Sequence, residues 1–441
     1  MELLSENPIS NEDDDAFDFK SIAEGLGKAI YDSTSPPETV GIIGKWGSGK
    51  TSLMQLLCNW LIDNGYKTLW FNPWVYKHKE EVWTALIRAI LLKIYKTTTK
   101  SSLKKSVWAM LKDIGWPTFD ESLLTVSGGY AVSDNFGGIG NPQIVHNPIE
   151  ERFFKKLEDG ISNVIQDYVG EKGRLIIFID DFENGTPERI ITILESLKPY
   201  WISNLSVIIF SMDEAVIDLG IKERYGSQFN LSGREYIEKQ IELPYFLPPI
   251  QFKKIQEHFK SEAKAKDLTP QIWKLLQYSF GGNPRRIKRF INGFFKVKSS
   301  LNHPEIAKKL GIEIEHDKTG GSEKEIYNTD QLFYLAKVLV IKQSYPEFYE
   351  YIHKNPSGWA RYEKIIQAKR QFKLDELKAQ GISTRELSKE DILKRYPEVT
   401  EFWLNRYLRV VMQQTSGNDF PAPLSVYALK RILRFMDTIQ L

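Results

Sequence analysis

The feature that most constrains this chain is a glycine-rich stretch with the spacing G-x-x-x-x-G-K-T, Gly44-Lys45-Trp46-Gly47-Ser48-Gly49-Lys50-Thr51. The apolar run Thr39–Ile43 before it predicts a buried strand, and a helix is predicted to follow from Ser52. Glycines let backbone N–H groups wrap around phosphate oxygens without Cβ atoms in the way. In this strand–loop–helix context the stretch predicts a phosphate-binding loop for a nucleoside triphosphate.

Residues at the end of this loop and just after it have expected roles that follow from their chemistry. Lys50 is expected to reach the β- and γ-phosphates, and the Thr51 hydroxyl is expected to be a ligand of Mg²⁺. Ser52 belongs to the first turn of the following helix, whose positive dipole end favours phosphate. We therefore expect all residues from Gly44 to Ser52 to contribute to nucleotide binding.

A second apolar strand ends in two carboxylates. The predicted strand Leu175–Ile179 is followed directly by Asp180 and Asp181. Mg²⁺-dependent hydrolysis needs one carboxylate to orient the water shell of the metal and another to polarise the attacking water. We predict Asp180 on the metal side and Asp181 as the activator of water. The alternative is a strand that ends in a turn with two solvated aspartates.

Two more buried strands are predicted at residues 68–72 and 207–211, with helices between the strands. This alternation indicates an α/β fold, a P-loop NTPase core in which helices flank a parallel sheet with right-handed crossovers. Ser211, at the end of the last strand, is a candidate sensor of the γ-phosphate. Asp213 follows it, and either residue could instead cap the next helix.

The predicted core spans residues 18–250. The acidic residues 1–17 before it predict a mobile, solvated tail. Residues 19–30 predict an amphipathic helix, which is a candidate for contact with adenine. Residues 97–149 interrupt the strand–helix rhythm and are interpreted as an insertion, with a small hairpin at residues 124–132.

A basic helical lid is predicted at residues 251–310. From residue 251 to residue 309 there are 14 Lys and Arg against 4 Asp and Glu. Asn283-Pro284 is a helix start signal, and arginines follow in the first two turns. We predict that Arg285 or Arg289 completes the γ-phosphate site as an arginine finger, from the lid or from a neighbouring subunit. The alternatives are a grip on nucleic-acid phosphate and a merely solvated basic helix.

Composition excludes several other classes of protein. A net charge of +2 does not require a polyanionic partner, and the single cysteine, Cys58, excludes an internal disulfide framework. The sequence predicts no signal peptide and no transmembrane segment, so a cytoplasmic location is expected. Residues 311–441 predict a mostly helical C-terminal domain.

Taken together, five blocks of this sequence resemble the KAP family of P-loop NTPases, a group within the STAND-type ATPases. The resemblance covers about residues 19–300 and implies ATP binding, Mg²⁺-dependent hydrolysis, an AAA-like core and a role as a regulated switch. Many members of the family resemble parts of bacterial anti-phage or mobile-element systems. The blocks are Gly44–Thr51, Leu69–Tyr76, Ile177–Asp181, Tyr236–Pro244 and Asn283–Asn292.

The chain departs from the family pattern in two places. Where the family commonly continues its paired aspartates as Asp-Asp-Leu-Asp-Arg, this chain has Asp-Asp-Phe-Glu-Asn at residues 180–184. Any contact that the family's arginine makes is therefore in doubt here. Many members also insert membrane-spanning helices where this chain has the polar insertion 97–149, which indicates a branch without them.

The favoured interpretation is a Mg²⁺-dependent ATPase of the KAP type. It would act as an oligomerising, nucleotide-driven switch or regulatory subunit for a separate effector protein, with anti-phage defence as one such role. The alternatives are an ATPase that nucleic acid stimulates through the basic lid, and a nucleotide-stabilised scaffold with little hydrolysis.

Overall fold

The structure is a computed structural model, and the chain it describes divides into two compact units. One unit is residues 8–248, and the other combines residues 1–7 with residues 249–441. The predicted core ends at residue 250, close to the end of the first unit. The described residues are 4–31, 37–73, 79–113, 148–170, 173–180, 185–197, 205–226, 231–260, 262, 265, 268–301, 303, 305–306, 314–317, 324–327, 329–359, 412 and 425–439.

A five-stranded sheet forms the centre of the first unit. Its strands are β1 (Thr39–Ile43), β2 (Lys67–Trp70), β3 (Leu175–Ile179), β4 (Ser206–Met212) and β5 (Leu243–Phe246). All four strand pairs are parallel, and the strand order is β2-β3-β4-β1-β5. The strand that leads into the glycine-rich loop, β1, therefore lies between β4 and β5.

Burial explains why the three central strands could be predicted. β1, β3 and β4 are buried along their whole length. Strands that are covered on both faces require apolar side chains at every position, so they form continuous apolar runs in the sequence. The edge strands β2 and β5 include partly or fully exposed positions and leave a weaker pattern.

The edge strand β5 is absent from the prediction. The sequence predicts the end of the core at residue 250 and no strand at residues 243–246, where the structure has one. β5 pairs with β1 in parallel, with Gly41 opposite Pro244. Proline has no N–H group to donate to a neighbouring strand, so it is tolerated at a sheet edge and would be costly in the centre.

Helices flank the sheet, which confirms the predicted α/β class. They are α1 (Phe19–Tyr31), α2 (Lys50–Asp63), α3 (Lys79–Thr97), α4 (Ser101–Asp113), α5 (Pro148–Val169), α6 (Pro187–Leu197), α7 (Glu214–Tyr225) and α8 (Gly233–Gln240). Buried side chains of α3 to α8 form one apolar core together with the strands. The helices α1 and α2 pack against each other.

The first part of the predicted insertion packs on this core. Leu103, Val107 and Leu111 of α4 are buried in the cluster that also contains the sheet side chains. Their spacing of four residues places them along one face of the helix. The hairpin predicted at residues 124–132 lies outside the described residues.

The second unit is mostly helical where it is described, as predicted. Its elements are α9 (Phe252–Lys260), α10 (Pro270–Phe280), α11 (Pro284–Leu301), β6 (Ile314–Asp317), β7 (Lys324–Tyr327), α12 (Thr329–Ser344), α13 (Pro346–Lys354) and α14 (Val426–Thr438). Every residue of α12 from Leu332 to Ile341 is buried, so this helix is surrounded by protein. β6 and β7 form an antiparallel pair in the part of the chain for which the sequence predicts a mostly helical domain.

A helix must be both long and apolar to cross a bilayer. Within the described ranges, no helix combines the length and the hydropathy that crossing a bilayer requires.

Close packing of α1 on α2 depends on one glycine. A Cβ atom at Gly27 would lie 2.2 Å from a ring carbon of Trp60, whereas a Cβ atom at Gly25 would have nothing within 4 Å. We expect Gly27→Ala to lower the free energy of unfolding by about 1–3 kcal/mol, because the indole ring must shift. Gly25→Ala on the same helix is the control and should be neutral or stabilising by up to about 1 kcal/mol. Urea unfolding measures both, and equal effects would contradict the packing described here.

Candidate functional site

The glycine-rich loop is a compact turn held at both ends by backbone hydrogen bonds. The N–H of Gly44 donates to the carbonyl of Met212 in β4 at 3.0 Å, and the N–H of Ser48 donates to the carbonyl of Lys45 at 3.0 Å. Gly47 and Gly49 have φ angles of 79° and 100°. Side chains disfavour this left-handed region, so the loop conformation requires glycine at both positions.

Two glycines of the loop, Gly44 and Gly49, are also close to neighbouring side chains. A Cβ atom at Gly49 would lie 2.4 Å from the ring of Phe19, and one at Gly44 would lie 2.7 Å from the Ser48 Oγ. Bare backbone is therefore needed on both sides of the turn. The turn therefore exposes main-chain atoms instead of side chains at these positions, as a phosphate-binding loop requires.

The side chain of Lys50 is folded into this turn. Its Nζ donates to the carbonyls of Gly44 at 3.0 Å and Lys45 at 3.3 Å, and the residue is only 5% exposed. A buried ammonium group beside main-chain oxygens holds positive charge at the centre of the loop. This is where the sequence predicts contact with the β- and γ-phosphates.

The start of α2 offers further groups that suit an anion. Gly49 is the N-cap residue of α2 and makes no side-chain capping hydrogen bond. The first N–H groups of the helix therefore point toward the loop without a capping side chain. The Ser48 Oγ is buried, and no hydrogen-bond partner is found for it in the described part of the chain. A buried hydroxyl without a partner is costly. The residues present therefore fit a bound triphosphate, with the half-buried Thr51 in the first helical turn.

Asp180 and Ser211 lie side by side at the ends of neighbouring strands. β3 and β4 are paired with Ile179 opposite Phe210, so the residue after each of these faces the other. The Ser211 hydroxyl, which is fully buried, donates a hydrogen bond to the Asp180 carboxylate. In this structure the hydroxyl of Ser211 orients Asp180. The predicted roles of these residues, γ-phosphate sensor and metal ligand, stay predictions.

Asp213 has two partners, of which the sequence indicated one. Its Oδ1 accepts a hydrogen bond from the Ala215 N–H at 3.0 Å and caps α7, as one of the two open alternatives predicted. Its Oδ2 accepts a second bond, from the N–H of Trp46 at 3.1 Å. One carboxylate thus joins the glycine-rich loop to the start of α7. No local pattern indicated the second bond, because its partners are 167 residues apart.

Residues before α1 run along α2, next to the loop. The N–H of Ile9 donates to the Ser52 Oγ at 3.3 Å, and the Asn59 side chain donates to the carbonyl of Ser10 at 2.8 Å. Phe19, the first residue of α1, is buried against Gly49. The N-terminal segment and α1 therefore flank the phosphate loop, while contact of α1 with adenine stays a prediction.

The other predicted site residues are either outside the described residues or part of the second unit. Asp181 is outside the described residues, and Arg285 and Arg289 belong to α11 in the second unit. The guanidinium of Arg289 is paired with the Glu6 carboxylate, with 2.8 Å between the Arg289 Nε and the nearer oxygen. On the same helix, burial lowers the pKa of Lys288, whose Nζ donates to the carbonyl of Ser5 at 3.0 Å. The catalytic roles of Asp181, Arg285 and Arg289 stay predictions.

The two hydrogen bonds that the Asp213 carboxylate accepts lead to a testable expectation. Asp213→Ala removes both the cap of α7 and the anchor of the Trp46 N–H, so it should cost about 1 kcal/mol of stability. It should also weaken nucleotide binding several-fold, because the loop is held less firmly. Asp213→Asn, which keeps one side-chain oxygen as an acceptor, is the control and should lose less of both. Thermal unfolding and fluorescent-nucleotide titration measure the effects, and an Ala variant that matches wild type would contradict the link.

Three solved structures show a distant similarity to this chain. The Orc1 protein of Aeropyrum pernix, in complex with DNA, is 14% identical, with 91% of this chain and 81% of that chain covered and a TM-score of 0.36. AMPPCP-bound DnaA from Aquifex aeolicus is 15% identical, with coverages of 74% and 80% and a TM-score of 0.28. PCH-2 of C. elegans is 10% identical, with coverages of 78% and 77% and a TM-score of 0.29. At such scores nothing about function follows.

The comparison with protein families is decisive. A comparison with curated protein sequences found no match. The model of the KAP family P-loop domain matches residues 19–301, which is more than half of the chain and includes the loop, β3, β4 and α11. The chain therefore belongs to the KAP family of P-loop NTPases.

Proposed function

We propose that this P-loop NTPase is a Mg²⁺-dependent ATPase that works as a nucleotide-driven switch. The observation that carries the proposal is the pair of bonds made by Asp213, which joins the Trp46 N–H to the first turn of α7. A switch needs a contact that responds to the ligand and continues into a rigid element. The phosphate loop, Asp213 and α7 form such a continuous connection.

The hydrolytic step is assigned to residues at the carboxyl edge of the sheet. Lys50 would hold the phosphates through charge, and Thr51 and Asp180 would hold Mg²⁺, with Ser211 keeping the Asp180 carboxylate in its orientation. When bound, Mg²⁺ would neutralise charge on the phosphates. Asp181 would accept the proton of the attacking water.

The choice of ATP and the partners of the switch rest on family resemblance. ATP is proposed as the nucleotide, a homo-oligomer as the working assembly and a separate effector protein as the target, with anti-phage defence as one setting. In such an oligomer, Arg285 or Arg289 would act as an arginine finger that a neighbouring subunit supplies. Slow turnover coupled to assembly is expected of a switch.

A second candidate function has its own observation. The 18 residues of α11 include six lysines and arginines and no acidic residue. A helix with this charge could hold nucleic-acid phosphate, and hydrolysis would then rise when nucleic acid is added. A nucleotide-stabilised scaffold with little hydrolysis is the third candidate, and the following experiment separates all three.

The test is ATP hydrolysis by the full chain, measured with and without duplex DNA, together with mass in each nucleotide state. We expect Lys50→Ala to weaken ATP binding at least about tenfold, because a charge-assisted contact is lost. Asp181→Asn should still bind ATP, but its rate of hydrolysis should fall by a factor of about 10² or more, because the water is no longer activated. Lys28→Ala, an exposed lysine on α1, is the charge-matched control and should behave as wild type.

Each result of this experiment selects one candidate. Hydrolysis with ATP-dependent assembly and no DNA effect supports the switch. A rate that DNA raises strongly at low salt supports the second candidate. Bound nucleotide without turnover in the wild type supports the scaffold. Hydrolysis by Lys50→Ala at the wild-type rate would refute the assignment of this loop as the nucleotide site, on which all three candidate functions depend.

A further inference from the structure

The basic helix α11 carries two different faces. Its buried side consists of apolar residues that form the interior of the second unit, Ile287, Phe290, Ile291, Phe294, Val297 and Leu301. Its opposite side carries four of the six lysines and arginines, Arg285, Lys288, Arg289 and Lys296, and the helix has no acidic residue of its own. Like charges on one helix repel each other, so this face favours an external anion.

The chain's own N-terminal segment lies on that face. The Leu4 N–H donates to the Asn292 Oδ1 at 2.8 Å, and the Asn292 Nδ2 donates to the Leu4 carbonyl at 3.0 Å. One side-chain amide therefore satisfies both main-chain groups of Leu4. These groups are 288 residues apart in the sequence, so the contact is tertiary and not a consequence of local structure.

The next two residues of the segment are held in the same way. The Lys288 Nζ donates to the Ser5 carbonyl at 3.0 Å, and the Arg289 Nε donates to the Glu6 carboxylate at 2.8 Å. Three consecutive residues thus meet three side chains of one helical stretch, 288–292. Each of the three residues has its own partner on α11, so the segment is docked through specific contacts.

The carboxylate of Glu6 occupies the position that a phosphate would take on Arg289. Carboxylate and phosphate oxygens accept the same charge-assisted bonds from a guanidinium group. Both partners remain substantially exposed, at 48% for the Arg289 side chain and 36% for that of Glu6. Exposed ion pairs are weak, so a ligand with several phosphates can displace the segment.

We propose that residues 4–6 are an internal competitor that covers the basic face of α11 and withholds Lys288 and Arg289 from the phosphates of a nucleic-acid strand. Binding of the strand would release the segment, and release of the segment would strengthen binding of the strand by the same factor. The inference rests on the second candidate function above. Its tests measure proteolysis and DNA binding instead of ATP hydrolysis, so its failure would leave the switch intact.

Docking of the segment is tested first, in the full-length protein, by glutamyl endopeptidase. The fragment that ends at Glu6 is followed by mass spectrometry. Cleavage should be slow in the wild type, about two- to fivefold faster in Arg289→Ala, which loses an exposed ion pair, and about tenfold faster in Asn292→Ala, which loses two hydrogen bonds. Arg286→Ala, an exposed arginine on the same helix, is the control and should cleave at the wild-type rate. Fast cleavage of wild type that Arg289→Ala does not change would overturn the inference.

Competition is tested second, with a 20-nucleotide single-stranded DNA as the probe. We expect Glu6→Gln to bind it about two- to fivefold more tightly than wild type, and saturating DNA to speed cleavage after Glu6 in the wild type. Glu12→Gln removes the same charge from the N-terminal region but lies outside this contact, so it should bind DNA like wild type. If Glu6→Gln and wild type bind equally, or if Glu12→Gln gives the same gain, the competition is refuted. Thermal unfolding of each variant checks that the chain remains folded.

Discussion

The parallel register of β1, β3 and β4 is the constraint on which the site depends. Ile43 lies opposite Met212, and Ile179 lies opposite Phe210, so all three strands end at one edge of the sheet. A shift of two residues in either pairing would separate the phosphate loop from the carboxylate side chains by about 7 Å. The central strands are buried on both faces, and this burial fixes the register that brings the polar groups together.

Sequence alone predicted the parts of the site whose chemistry is local. The loop Gly44–Thr51 is recognisable because its glycines, its lysine and its threonine each meet a requirement within eight consecutive residues. The strands β3 and β4 are recognisable because they are uninterrupted apolar runs. The class of fold follows from these elements, and the KAP resemblance noted on five blocks agrees with the family match.

The parts that sequence missed depend on contacts between distant residues. The strand β5 contains a proline and lies at a sheet edge, so its pattern indicated the end of the core instead of a strand. The second bond of Asp213 and the bond between Ser211 and Asp180 each join side chains that only the assembled sheet brings together. The docking of Leu4 on Asn292 is the extreme case, since no pattern within either segment predicts the other.

If Asp213 couples the phosphate loop to α7, both should respond to nucleotide, and amide hydrogen exchange of the full chain measures the two responses together. The measurement compares exchange with and without ATP and Mg²⁺. We expect slower exchange in residues 44–52 and also in the first turn of α7, because Asp213 joins them. Slower exchange in the loop with unchanged exchange in α7 would contradict this coupling, and no change in either would contradict nucleotide binding at this loop.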